Sequence, residues 1–141
     1  MTLRFDETER ERMNAHVREG FPHEVVGILA GDRGEHVISR VHPLVNERAD
    51  SAHNRYKVSG LTLMRAEEAL QDEGLEIVGY YHSHPDHPSQ YSEYDRDHAL
   101  PNMSYVIVSV MGGDVASTQS WRLTDDRSRM DEEPIESWRK P

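Results

Sequence analysis

Two histidines in His82-Ser83-His84-Pro85 are followed, after the seven residues Pro85 to Tyr91, by Ser92-Glu93-Tyr94-Asp95. The stretch before them, Glu76-Ile77-Val78-Gly79-Tyr80-Tyr81, is apolar and aromatic and predicts a buried strand. Strand side chains alternate between faces, so His82 and His84 point the same way and can grip one ion. Pro85 argues against continuing a central strand beyond that point. Ser92 suits a helix N-cap, and Glu93 and Asp95 suit the positive end of the helix that would follow. A strand end thus offers two nitrogens and a helix start offers a carboxylate and a hydroxyl. Two histidines and one carboxylate leave a fourth tetrahedral position for water, the layout of a catalytic rather than a closed structural zinc. Each half alone is weak: the chain has nine histidines, and Ser-x-x-Asp is usually only a helix cap. Their conjunction at the end of an apolar strand is what carries the reading.

The pattern His82-x-His84, seven residues, Ser92-x-x-Asp95 resembles the signature of the JAMM/MPN-plus zinc metalloproteases, isopeptidases that cleave ubiquitin and ubiquitin-like tails. That family also has an upstream glutamate, and Glu24 in Glu24-Val25-Val26-Gly27-Ile28-Leu29 is similar to its Glu-x-x-Gly-hydrophobic-Leu segment. The resemblance runs from the first helix to about Trp121. It implies that His82, His84 and Asp95 bind one Zn2+ per chain, with water completing the tetrahedron. It also implies that Glu24 shuttles the proton from that water to the leaving amine, and that Ser92 hydrogen-bonds the oxyanion. The implied fold is α/β, a cytidine deaminase-like MPN (JAMM) fold with a curved mixed β-sheet flanked by helices. Without the downstream motif, Glu24 would read as an exposed acid at a helix–strand junction.

Other metal chemistries fail on detail. His23-Glu24 begins like the His-Glu-x-x-His zinc motif, but the second ligand position holds Gly27. Zinc deaminases need cysteine ligands, and the chain has no cysteine. His87 and His98 lie near enough to be substitute ligands but read more simply as surface residues. Tyr80 or Tyr81 is expected inside, since alternation sends one inward. Tyr91 and Tyr94 flank Ser92 and are candidates for a substrate groove, against the plainer reading as amphipathic cover.

At 141 residues the chain has room for one core. The expected division is a JAMM/MPN domain over 1–123 and a polar tail over 124–141. Within that tail Thr124–Glu133 reads as loose and 134–138 as a returning edge strand that shelters Ile135 and Trp138. The formal charge of −10 argues against a nucleic-acid surface. Absent cysteine fits a reducing cytosol, and the charged Met1–Glu11 segment and lack of a long apolar run speak against a signal peptide or membrane span. A cytoplasmic protein is expected.

The remaining elements read as a first helix over Asp6–Arg18, a strand Val25–Ala30, a turn at Gly31–Gly34 and a strand His36–Val41 interrupted by Pro43. A polar loop at Glu47–Asn54 and a short strand Tyr56–Val58 follow. Ser59 caps a helix to Asp72 ending at Gly74. After the motif, strands Tyr105–Val110 and Ser117–Leu123 flank Gly112-Gly113-Asp114.

Because the intervals between elements are short, the chain resembles the prokaryotic branch of the family. That resemblance implies a partner, a ubiquitin-like β-grasp sulfur-carrier protein with a C-terminal Gly-Gly, and hydrolysis of the bond after that tail. An extended tail of this kind can add to an exposed sheet edge. Three other readings stay open: a general zinc peptidase on Gly-rich tails, a non-catalytic MPN binding module (a homodimer among its forms), and a DNA-repair relative that the acidic charge disfavours.

Overall fold

The computed structural model describes residues 2–45 and 59–138. Its elements run β1 (Leu3–Asp6), α1 (Glu7–Gly20), β2 (Val26–Asp32), β3 (Val37–Leu44), α2 (Gly60–Asp72), β4 (Glu76–Pro85), α3 (Glu93–His98), β5 (Ser104–Met111), β6 (Asp114–Leu123), β7 (Met130–Glu133) and β8 (Ile135–Trp138). The strands form one mixed sheet in the order β7-β6-β5-β4-β2-β3-β1-β8. β4, the strand expected to carry the histidines, is central: it pairs antiparallel with β2 and parallel with β5.

Each helix starts where a side chain can receive its first free N–H groups. Asp6 accepts from Thr8 and Glu9 at the start of α1, and Ser59 accepts from Thr62 at the start of α2. After α2, Gly74 takes a φ of +83°, a left-handed position that glycine adopts without a Cβ penalty. α1 turns Met13 and Val17 into the sheet, where they join Leu3, Phe5, Leu29 and Tyr81 in one fully buried cluster. α2 covers the other face through Leu70, which packs with Ile28, Ala30 and Ile77. A third cluster of Ala99, Ile107, Trp121 and Met130 lies beyond α3. Tyr81 is the inward tyrosine of the pair, and Gly27 opposite it has no Cβ because one would run into the Tyr81 ring.

Three readings need correction. Met130–Glu133, expected as part of a loose tail, is β7 and pairs with β6 from Ser120↔Glu133 to Leu123↔Met130. Pro43 does not interrupt its strand. It sits in β3 opposite Gly27, on a stretch that β1 does not reach, since β1 pairs with β3 only at Val37 and Ile38. A proline is tolerated there because, among the described residues, no second strand pairs with that part of β3. β1 itself was unforeseen. The returning strand is present as β8, paired in parallel with β1. The expected loop Glu47–Asn54 and strand Tyr56–Val58 lie outside the described residues. Among the described residues no helix is long and apolar enough to cross a membrane.

Candidate metal centre

The end of β4 is held on both sides. His82 lies opposite Val26 of β2 and Ile107 of β5, and His84 lies opposite Ser109. Alternation works as expected: His82 and His84 share a face, and Ser83 between them turns to the other face with no exposed surface. There the Ser83 hydroxyl accepts the Val25 N–H at 2.9 Å, while the Ser83 N–H donates to the Val25 carbonyl at 3.0 Å. These two bonds fasten the residue after Glu24 to the residue between the histidines. Glu24 is buried as a result, and one ligand atom each from Glu24, His82 and His84 lie within 4.8 Å of one another.

Asp95 arrives from the other side on α3. Ser92 caps that helix by accepting the Asp95 N–H at 3.1 Å, and the Asp95 carboxylate accepts the Ser92 N–H at 2.9 Å. This reciprocal capping box aims the carboxylate. Its Oδ1 stands 3.2 Å from His82 Nε2 and its Oδ2 stands 3.4 Å from His84 Nε2, while the two Nε2 atoms are 3.2 Å apart. The structure therefore brings Glu24, His82, His84 and Asp95 together, with Ser92 bonded to the last of them.

The donor set can be tested against a tetrahedral ion. With metal–ligand distances of about 2.0–2.1 Å, neighbouring ligands around tetrahedral zinc lie roughly 3.3 Å apart. The His82–His84 and His82–Asp95 Oδ1 separations match that spacing, and Asp95 reaches His84 through its other oxygen, Oδ2. Tautomer chemistry points the same way. His84 Nδ1 is 2.9 Å from the Pro88 carbonyl, which only accepts, so Nδ1 carries the proton and neutral His84 presents a lone pair at Nε2. In the neutral form that lone pair faces a second imidazole nitrogen and a carboxylate, a setting that either a proton on Nε2 or a metal cation would satisfy. Burial alone would raise the Asp95 carboxyl, but hydrogen bonds from His82 and His84 outweigh it and hold Asp95 well below the usual carboxylate range. Burial lowers His84, and its bonds to Asp95 and Pro88 reverse that and raise it. A proton and a metal ion would compete for this acidic-plus-imidazole nest.

Residues 7–124 match the family described as prokaryotic homologs of the JAB domain. This chain belongs to that family. The JAB domain is 34% identical over 108 residues to a desampylase of Haloferax volcanii, covering 73% of this chain and 77% of that protein. It is 30% identical over 124 residues to a CysO-cysteine peptidase of Mycobacterium bovis, covering 87% and 82%. A solved JAB1/MPN domain protein from Archaeoglobus fulgidus superposes with a TM-score of 0.60 at 17% identity, covering 95% of this chain and 99% of that one. That likeness is of fold, and it agrees with the mixed α/β sheet flanked by helices.

The neighbouring aromatics and histidines spend themselves on the JAB domain's own structure. Tyr91 packs edge-on against Trp121 at 5.0 Å, and Tyr94 stacks on His98 at 4.0 Å. The His98 ring also bonds the Tyr94 carbonyl. His87 is exposed, and its carbonyl is taken by the Ser109 hydroxyl. Sequence reasoning missed Ser83 and the Pro88 carbonyl. A signal existed for Ser83: a residue between two like-facing histidines on a buried strand must itself face the core. None existed for Pro88, whose role is a backbone atom.

Proposed function

We propose that this JAB domain is a zinc-dependent peptidase or isopeptidase that hydrolyses the bond after the C-terminal Gly-Gly of a ubiquitin-like sulfur carrier. The observation that carries the reading is the set of edges of 3.2, 3.2 and 3.4 Å joining His82 Nε2, His84 Nε2 and the two Asp95 oxygens. Those three side chains would hold one zinc per chain. When bound, the ion supplies Lewis acidity, polarising the scissile carbonyl and making a water acidic near neutral pH.

The rest is done by the chain. Glu24 is buried beside the imidazoles and within the same 4.8 Å group, where its carboxylate can take the proton of the attacking water and pass it to the leaving amine. Ser92 uses an oxygen lone pair on the Asp95 N–H, which keeps its hydroxyl proton for the oxyanion that develops on the substrate. β4 is paired with β5 as far as Pro85 and with β2 only as far as His82, so a tail would meet the end of that strand. Two glycines make such an approach narrow enough. The names desampylase and CysO-cysteine peptidase, borne by relatives, support a carrier conjugate as the substrate class. The absence of cysteine supports a cytoplasmic setting.

The test is to fuse a short peptide to a carrier ending in Gly-Gly and follow its release by mass spectrometry, with elemental analysis of the purified protein. Near-stoichiometric zinc and chelator-sensitive cleavage are expected, with kcat/KM falling sharply when the last glycine is made Leu. Equal cleavage of the two fusions removes the tail-specific reading. Cleavage that a chelator leaves untouched removes the zinc.

A further inference from the structure

The loop from Asp86 to Ser89 supplies no side-chain ligand, yet it is nailed to β5 and β6. The Asp86 N–H donates to the Val110 carbonyl at 2.7 Å, and the Asp86 carboxylate accepts the Gly112 N–H at 2.9 Å. The Ser109 hydroxyl donates to the His87 carbonyl at 2.6 Å. Ser89 is 1% exposed, and its hydroxyl donates to Gln119 Oε1 at 2.7 Å with Ser117 Oγ at the same distance. The Ser89 carbonyl accepts the Trp121 indole N–H at 3.0 Å. Between these anchors the loop meets His84 twice: the His87 N–H donates to the His84 carbonyl at 3.4 Å, and the Pro88 carbonyl alone reaches the ring, at Nδ1, among the described contacts.

We infer that Ser89 and Trp121 are positioning residues for the metal centre, acting through the Pro88 carbonyl on the tautomer and ring plane of His84. The inference rests on the reading of His84 as a metal ligand. An imidazole that ligates through one nitrogen is oriented by whatever the other nitrogen bonds, and loss of that outer partner commonly weakens metal binding by about 10–100-fold. A backbone carbonyl can serve only if its backbone is immobile. Pro88 has no N–H with which to anchor itself, and Asp86, His87 and Pro88 are exposed. The hold on the Pro88–Ser89 peptide therefore comes from the buried side, through the Ser89 hydroxyl and carbonyl. Trp121 sits two strands away from β4, across β5, and reaches the loop by its indole N–H alone.

The experiment compares the full-length protein with Ser89→Ala and Trp121→Phe, the latter keeping a ring against Tyr91 while deleting the N–H. Zinc affinity is read by competition with a chromophoric chelator, the ligand field by the visible spectrum of cobalt-loaded protein, and folding by thermal melts. Ser104→Ala is the control, since Ser104 is equally buried but bonds Glu133 instead. Each test variant is expected to weaken zinc by roughly tenfold or more and to shift the cobalt bands, with Ser104→Ala retaining wild-type affinity and spectrum. Wild-type affinity and spectrum in Ser89→Ala and Trp121→Phe overturn the inference, as does an equal loss in Ser104→Ala. Should Trp121→Phe fail to fold, Ser89→Ala decides. Wild-type protein that takes up no zinc fails the proposed function itself, a separate outcome.

Discussion

Asp95 and Glu133 are both buried carboxylates beside histidine, at opposite ends of the parallel β4–β5 pair. Glu133 meets Ser104 at the start of β5, and Asp95 meets His82 and His84 at the end of β4. Around Glu133 every neighbour offers a proton. Oε1 accepts the hydroxyls of Ser104 at 2.6 Å and Ser120 at 2.7 Å, and Oε2 lies 2.9 Å from His36 Nε2. Arg122 adds a bond to Ser104 from the rim. Around Asp95 the side-chain neighbours are two imidazole nitrogens 3.2 Å from each other, and in neutral His84 the bond to Pro88 leaves Nε2 a lone pair. The first cluster is internally satisfied and can only hold strands together. The second is arranged for something it does not itself contain. Similar residue types in similar burial thus separate into structure and chemistry by where their protons point.

The largest contrast comes from neutralising an acid in the metal cluster. Glu24→Gln is nearly isosteric and should keep zinc while turnover drops by roughly two orders of magnitude or more, whereas Asp95→Ala should lose the metal. Steady-state kinetics beside elemental analysis reads both. Wild-type turnover in Glu24→Gln, or loss of its zinc, would remove the proton-shuttle role.

Glu133→Gln should do the reverse, leaving metal content alone and costing about 1–3 kcal/mol of stability, because buried donors lose their charged acceptor. It also carries a pH signature. Burial pushes the Glu133 carboxyl up, but bonds from His36, Ser104 and Ser120 prevail and hold it below its ordinary value. Its stabilisation is therefore present above the unfolded pKa of about 4.3 and is lost as pH falls through the lower folded value. Urea melts between pH 3 and 6 should show a falling acid limb that is shallower in the glutamine variant. Identical limbs would mean that Glu133 contributes no such term.

Ser83→Ala lies between the clusters in character and has the smallest expected effect. It strands the buried Val25 N–H at a cost of about 1–2 kcal/mol and loosens the neighbour of Glu24, so kcat should fall a few-fold with zinc unchanged. Unchanged kcat in a destabilised variant would make the tether purely structural.

The coming together of His82, His84 and Asp95 was legible because its information is local. Strand alternation places His82 and His84 together, and a capping signature brings Asp95 back to Ser92; both operate over two to four residues. Glu24 needed the family resemblance, since only the β2–β4 pairing carries it to the histidines. The Glu133 cluster was illegible for the opposite reason. Its four polar members come from positions 36, 104, 120 and 133, and nothing near Met130-Asp131-Glu132-Glu133 marks one of its acids as buried. β1 was hidden in the same way: β3 and β8 hold it in the sheet, and only there do Leu3 and Phe5 come under Met13 and Val17 of α1. The cost of leaving Ile135 and Trp138 exposed was the one clue to that end of the sheet.

α3 has six residues and, although the Asp95 side chain is covered, no residue of it is buried as a whole, while β4 is laddered by β5 along to Pro85 and by β2 as far as His82. So short a helix has little stability of its own, and it belongs to the part of a protein that opens before the rest. The proposed ligands straddle that divide, two on the rigid partner and one on the frail one. Ion binding would then act as a staple: amide hydrogen exchange in Glu93–His98 should slow on loading far more than exchange in β4. The free energy of holding a metal would then go mainly into keeping this short helix in place, and with it the hydroxyl of Ser92.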